Sequence, residues 1–478
     1  MDFLSIKFFI FFFSAICIFY LSPLRYRISV VFPLLNLFFI LTYVNNLSQL
    51  LPLVVFLGAG FIGIRLVETF ANRVAFITSL SVILVIFVYL KKYAFVSFLP
   101  FISRSYLSVG LSYILFRMVQ MLIDVYQKSI QERVSLVSFS NFCCNFLTFV
   151  SGPIQRYQDY KLQESSLGQK ALTEREVFDS FSRMIHGLFK VVILSTLCMG
   201  YYKWFFSFMQ DSTVNESSLV LCRKFILASF FCSLYLYFNF SGYMDIVISF
   251  GKILGFELPE NFNRPFESRS FLEFWSRWHI TLSEWFKFYL FNPFVLFLTD
   301  KWPNRKAVPY YGVLAYFFVF FIMGAWHGSS WVFLIYGLFL GAGMSINKLF
   351  DVLMRKYYSV QYKKIIEHGL SGLLGTALTF SYWSMGTSCC WLDLKDLVKL
   401  MIKFKIQGFL MSFLLGIFLW AGALWLVRGF KYIFGRGITS LNGNFYFSRT
   451  WLSFELFIVI GFWFYGFGGI PDFVYKAF

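Results

Sequence analysis

The longest uncharged stretch of the chain, Ala307–Asn347, runs 41 residues without an Asp, Glu, Lys or Arg. At ~1.5 Å per helical residue and ~30 Å of hydrocarbon, it is long enough to cross a bilayer about twice. A helix of a soluble domain keeps a polar face, and no such face can be drawn here. His327 sits near the middle of the run, with Gly324 and Trp326 before it and Gly328 and Trp331 after it. An ionisable side chain inside an apolar span is costly and marks a functional site by default. The competing reading is a histidine hydrogen-bonded between helices at a turn near one membrane face. Taken alone, His327 is compatible with both.

The rest of the chain repeats the apolar theme. Phe8–Leu24 is uncharged, Ile28–Ile64 is uncharged but broken by Asn45, Asn46 and Pro52, and Val74–Leu90 closes at Lys91 and Lys92. Further runs lie at Phe225–Met244, His368–Leu392, Ile406–Val427 and Leu456–Ile470. Hydropathy therefore predicts an all-α polytopic membrane protein of about eleven or twelve passages plus re-entrant or interfacial helices. Charged residues make up 14% of the chain, against about 25% in soluble domains. The net charge of +18 sits in short segments between apolar runs. That pattern points to lipid headgroups and not to nucleic acid. The eight cysteines contain no C-x-x-C pair, so neither a metal site nor a disulfide framework is predicted.

Three segments depart from plain spans. Leu107–Tyr126 carries Arg117 and Asp124 inside an apolar run, which predicts a wall of a polar cavity. Around residues 161–186, Thr173 and Glu176 form a possible capping box. Val177, Phe181, Ile185 and Leu188 then recur at helical spacing, predicting an amphipathic helix that lies on the membrane surface before entering it. Phe256–Lys287 is too charged to face lipid and too aromatic for a flexible loop, so a re-entrant or cavity-lining insertion is expected. It carries His279.

Of the four histidines, His186 and His368 sit at charged boundaries, whereas His279 and His327 lie in aromatic or deeply apolar surroundings. A desolvated imidazole is neutral and can accept a proton near pH 7. A nucleophile elbow, a P-loop, an H-E-x-x-H and a dinucleotide fingerprint are all absent. What remains is direct transfer in which a histidine activates an acceptor hydroxyl within the membrane. A transporter whose intramembrane charges form a pathway, or a noncatalytic polymer-export scaffold, stays open at this point.

The order VGLSYILFRMVQMLIDVY (109–126), SGPIQRY (151–157), GLFKVVI (187–193), YFNFSGYMDI (237–246), ENFNRPFESRSFLEFWSRWHITLSEWF (260–286) and GAWHGSSW (324–331) resembles the membrane-bound O-acyltransferases. Within them it is most similar to the bacterial alginate O-acetylases and D-alanyl-lipoteichoic acid transferases, and the closing FGGIPDFVYKAF resembles the aromatic end of that branch. The likeness covers about 105–345 plus the tail of what is expected to be a single integral membrane domain, 1–478. It implies a ring of tilted helices around a tunnel, in a multi-pass protein of the bacterial inner membrane. His327 would be the catalytic residue and His279 important for activity. Asn239, Asp245, Arg277, Ser283 and Trp326 would bind substrate or line the tunnel. No cofactor or metal would be permanently bound; an acyl thioester, acetyl-CoA or an acyl carrier protein, would be the donor. The acceptor would be an extracytoplasmic glycan, reached directly or through an SGNH-type partner protein. The chain departs from the family pattern at Asn239, where Asp is usual, and at Lys287–Pro293, where an Arg-Asp and a glycine-rich turn are usual.

Overall fold

A computed structural model describes residues 4–102, 105–167, 172–210, 217–442 and 445–465. The expected aromatic tail, FGGIPDFVYKAF, lies outside them. The described residues are almost entirely helical, and no strand forms among them beyond one isolated bridge, Phe262 to Trp278. Among the described residues, eight helices are long and apolar enough to cross a membrane, from Leu24–Leu41 to Leu394–Ile433. The chain is thus a polytopic all-α membrane protein. Among the described residues fewer helices reach that length and hydropathy than there are apolar runs, because some runs are divided. Leu111–Tyr126 has only 16 residues, and 134–155 is used up by Leu136–Cys143 and a loop.

Two compact units are formed, one from Met1–Met184 and Met244–Glu260, the other from Ile185–Tyr243 and Asn261–Pro471. In the first, phenylalanines supply the packing: Phe11, Phe12, Phe39 and Phe146 meet with ring centroids 5.2–6.3 Å apart. Arg117 is buried in the same unit, over the Phe142 ring, and its polar partners are internal. Its guanidinium donates to the carbonyls of Phe142, Cys143 and Thr148 and to Thr148 Oγ1, at 2.6–3.1 Å. These carbonyls belong to the end of Leu136–Cys143 and the loop beyond it, where intrahelical donors run out. Burying the cation there satisfies a broken helix that lipid could not. Asp124 accepts from Gln158 Nε2 at 3.0 Å, again an internal tie.

The predicted capping box is present: Glu176 N donates to Thr173 Oγ1 at 3.2 Å and Thr173 N donates to Glu176 Oε2 at 3.0 Å. The amphipathic helix it starts continues into a longer apolar one, as expected. No proline interrupts 172–210, and the helix runs on through a wide turn at Lys190–Ser195, so that Glu174–Ser207 is itself of span length.

In the second unit the two halves of the 41-residue run form Val308–His327 and Trp331–Tyr357. Glycine lets them touch backbone to backbone. A Cβ added at Gly324 would lie 2.1 Å from Gly337 Cα, and one at Gly337 would lie 2.4 Å from the Phe321 carbonyl oxygen. Small residues at such crossings are how helices associate where no hydrophobic force separates helix from lipid.

Candidate active site

His327 is the last residue of its helix; Gly328 follows in extended conformation and the next helix begins at Trp331. The imidazole is 6% exposed. Its ring lies 5.0 Å from Trp326 and 5.8 Å from Tyr336. The glycine crossing sets this geometry, since Gly324 and Gly337 each stand one turn or less from His327 and Tyr336 in sequence.

His279 is delivered by the aromatic insertion, which the structure folds as short helical pieces at Pro265–Glu267, Phe271–Trp275 and Ile280–Phe286. Two of its strandlike segments pair: Asn263 N donates to the Arg277 carbonyl and Ile280 N to the Asn261 carbonyl, each at 3.0 Å. His279 sits between them at φ 45°, ψ 53°, as the residue that starts Ile280–Phe286. A left-handed non-glycine residue is held there only if its surroundings over-determine it. Asn261 does so: fully buried, its side-chain oxygen accepts from Thr281 N at 3.1 Å and Thr281 Oγ1 at 2.7 Å, and lies 3.4 Å from His279 Nδ1. Phe240 packs edge-on against the imidazole at 4.8 Å. Burial, and then the nearby His327 ring, push the His279 imidazole well below its ordinary pKa. His279 is therefore neutral, and the two imidazoles lie close enough to feel one another.

A cavity of about 210 Å³ adjoins both histidine-bearing helices. Ser283, one turn after His279, and Met323, one turn before His327, both line it, with Trp275, Phe320 and Lys287. The Ser283 hydroxyl and the Trp275 indole N–H are buried and have no hydrogen-bond partner among the described residues.

The other sequence candidates fall as follows. Asn239 is fully buried. Arg277 pairs with Glu273 at 2.8 Å. Asp245 belongs to the first unit, where Arg183 donates Nε to it at 2.9 Å and binds Glu260 with both terminal nitrogens at 2.6 Å. His186 is held by Glu455 at 2.5 Å. Asn261, Thr281 and Tyr336 escaped the sequence reading. For Asn261 and Thr281 the only available signal was their place in the same polar insertion as His279.

Fold and site together define a polytopic membrane protein in which two buried imidazoles each stand one turn from the lining of a cavity. The profile of the MBOAT, membrane-bound O-acyltransferase family matches residues 70–367, more than half of the chain. The chain belongs to this family and is a multi-pass membrane O-acyltransferase. It is 32% identical over 280 residues to the teichoic acid D-alanyltransferase of Bacillus subtilis, covering 58% of this chain and 67% of that one. With the probable alginate O-acetylase AlgI of Azotobacter vinelandii it shares 28% over 250 residues, 52% of this chain and 46% of that one. The peptidoglycan O-acetyltransferase of Helicobacter pylori is 27% identical over 278 residues, 53% of this chain and 49% of that one.

Proposed function

We propose that this chain transfers an acyl group, acetyl first among the candidates, from a cytoplasmic thioester to a hydroxyl of an extracytoplasmic polysaccharide. The relatives bear names for acyl transfer to teichoic acid, alginate and peptidoglycan, which supports a glycan or polyol acceptor. A relay through the serine of an SGNH-type partner outside the membrane is the second route to the same ester.

His327 acts as general base. It takes the proton of the acceptor hydroxyl as the oxygen attacks the thioester carbonyl. The tetrahedral intermediate collapses, the C–S bond breaks, and the departing thiolate takes the proton from the imidazolium. General-base catalysis of this kind contributes roughly two to four orders of magnitude in rate. His279, neutral and fixed by Asn261, orients the reacting groups or donates to the developing oxyanion. Ser283 and Trp275 offer hydrogen-bond groups to a substrate in the cavity, while Trp326 shapes the wall beside His327. Asn239 and Arg277 act as structural supports within the second unit and Asp245 within the first, by their burial and ion pairs.

The observation that carries this reading is the placement of two buried imidazoles at the ends of helices that share one cavity. His327→Ala, shown by membrane insertion and melting temperature to be folded, is expected to lower acyl incorporation at least a hundredfold, roughly the lower end of that general-base range. Mass analysis of the ester formed by wild-type membranes separates acetyl from D-alanyl. Normal transfer by His327→Ala would sink the proposal.

A further inference from the structure

On the first unit, Leu51–Phe70, Arg73–Lys91 and the segment 93–102 enclose a groove of about 730 Å³. It is lined by Leu51, Val55, Leu84, Val88, Val96 and Ile102 among others, and its only polar side chain is Tyr89. The Tyr89 hydroxyl is already used, donating to the Pro100 carbonyl at 2.9 Å. The third wall is built and held in place. Lys92 Nζ donates to the Ile102 carbonyl at 3.2 Å, Tyr106 OH to the Leu90 carbonyl at 2.5 Å, and Leu107 N to the Gln49 carbonyl at 3.1 Å. The groove is thus not merely the furrow between two helices.

Where the helix leaves the groove, at Leu90, two lysines follow. Lys91 is half-buried and forms no ion pair among the described residues. Lys92 spends one donor on Ile102 and faces the Tyr106 ring at 5.1 Å, which leaves two N–H groups. From Val74 to Ile123 the sequence holds no Asp or Glu, so no acid nearby in the chain can neutralise this pair. A half-buried ammonium without a counter-charge is costly unless an anion from outside compensates it.

We propose that this groove is a binding site for an anionic phospholipid, with one acyl chain in the apolar channel and the phosphate on Lys91 and Lys92. The chemistry of the two parts matches and their order matches too: an alkyl chain needs a channel without polar groups, and a phosphodiester needs cations at its mouth. A partner helix fits less well. On Arg73–Lys91 the contact spans only Leu84–Leu90, about two turns, shorter than a helix–helix seam. The site is independent of the acyl-transfer reaction and lies outside the histidine-bearing unit.

The test uses the full-length protein in nanodiscs of phosphatidylcholine doped with phosphatidylglycerol, with native mass spectrometry of the lipids retained after disc removal. Wild type is expected to keep one phosphatidylglycerol with roughly tenfold preference over phosphatidylcholine. Lys91→Gln with Lys92→Gln should bring that preference to parity, whereas Leu84→Trp, which fills the channel, should lower retention of both lipids. Acyl transfer by each variant reports that the protein is still folded. Equal retention of the two lipids by wild type, or a preference that survives the double glutamine change, overturns the proposal. So does a polypeptide that crosslinks to residue 84 in native membranes while no lipid is retained.

Discussion

At the scale of single residues, His279 is tightly constrained. Its backbone is left-handed, its ring is buried, and Asn261 holds the residues that follow it. These two demands can be separated. Asparagine tolerates the left-handed region far better than β-branched residues do. His279→Asn is therefore expected to melt within a few degrees of wild type while losing at least tenfold in transfer. His279→Val should add about 1–2 kcal/mol of backbone strain and lower the melting temperature as well. The same residue gives stability a pH dependence. Its folded pKa lies below the unfolded value of ~6.5, so the unfolded chain binds a proton that the folded chain refuses. Stability from this source is complete above about pH 6.5 and falls as the pH drops below it. Melting curves between neutral and mildly acidic pH should show a slope that flattens in His279→Asn; an unchanged slope would contradict the assignment.

At the scale of elements, the pair Val308–His327 and Trp331–Tyr357 depends on glycine. At Gly324 the neighbour is backbone, which cannot move aside as a flexible side chain would. Gly324→Ala is expected to force the helices apart at a cost of about 1–3 kcal/mol, the range for overpacking. Because His327 is three residues further on, transfer should fall by more than the loss of folded protein explains. Gly422→Ala is the internal control: nothing lies within 4 Å of the added methyl group, and both melting and transfer should stay near wild type. Hydropathy made the existence of both helices readable, and it placed His327 at the turn between them. The closeness of their crossing could not be read, since Gly324, Gly337 and Gly341 are only three among many glycines until the helices meet.

At the scale of the whole molecule, ion pairs in the first unit tie distant parts of the chain together. Arg183 joins Asp245 and Glu260, which are 62 and 77 residues away. Arg183→Ala leaves the mostly buried Asp245 without its cation, and about 1–2 kcal/mol should be lost, less than for a fully enclosed pair because Arg183 and Glu260 are partly exposed. If Asp245 is a structural partner, Asp245→Asn should lower melting while transfer per folded molecule is kept. Collapse of transfer at unchanged stability would give it a role in the chemistry instead. Arg117 shows the same logic in a more buried place. From the sequence it looked like the wall of a polar cavity, because a charge in a span must face something polar. The polar partner proved to be the loose carbonyls of Leu136–Cys143 and the loop after it.

The composition and the 41-residue run were enough to determine a polytopic helical membrane protein, since local hydropathy and chain length alone decide whether a segment leaves water. The motif order around His279 and His327 was enough for the family. Only the tertiary structure decided how the site is made. Asn261 clamps His279 from 18 residues away, a glycine contact sets the His327 turn, and a cavity opens one turn from each imidazole. Each of these depends on which backbone approaches which. Contacts between residues far apart in the chain leave no periodic trace in the sequence, whereas apolar spans do.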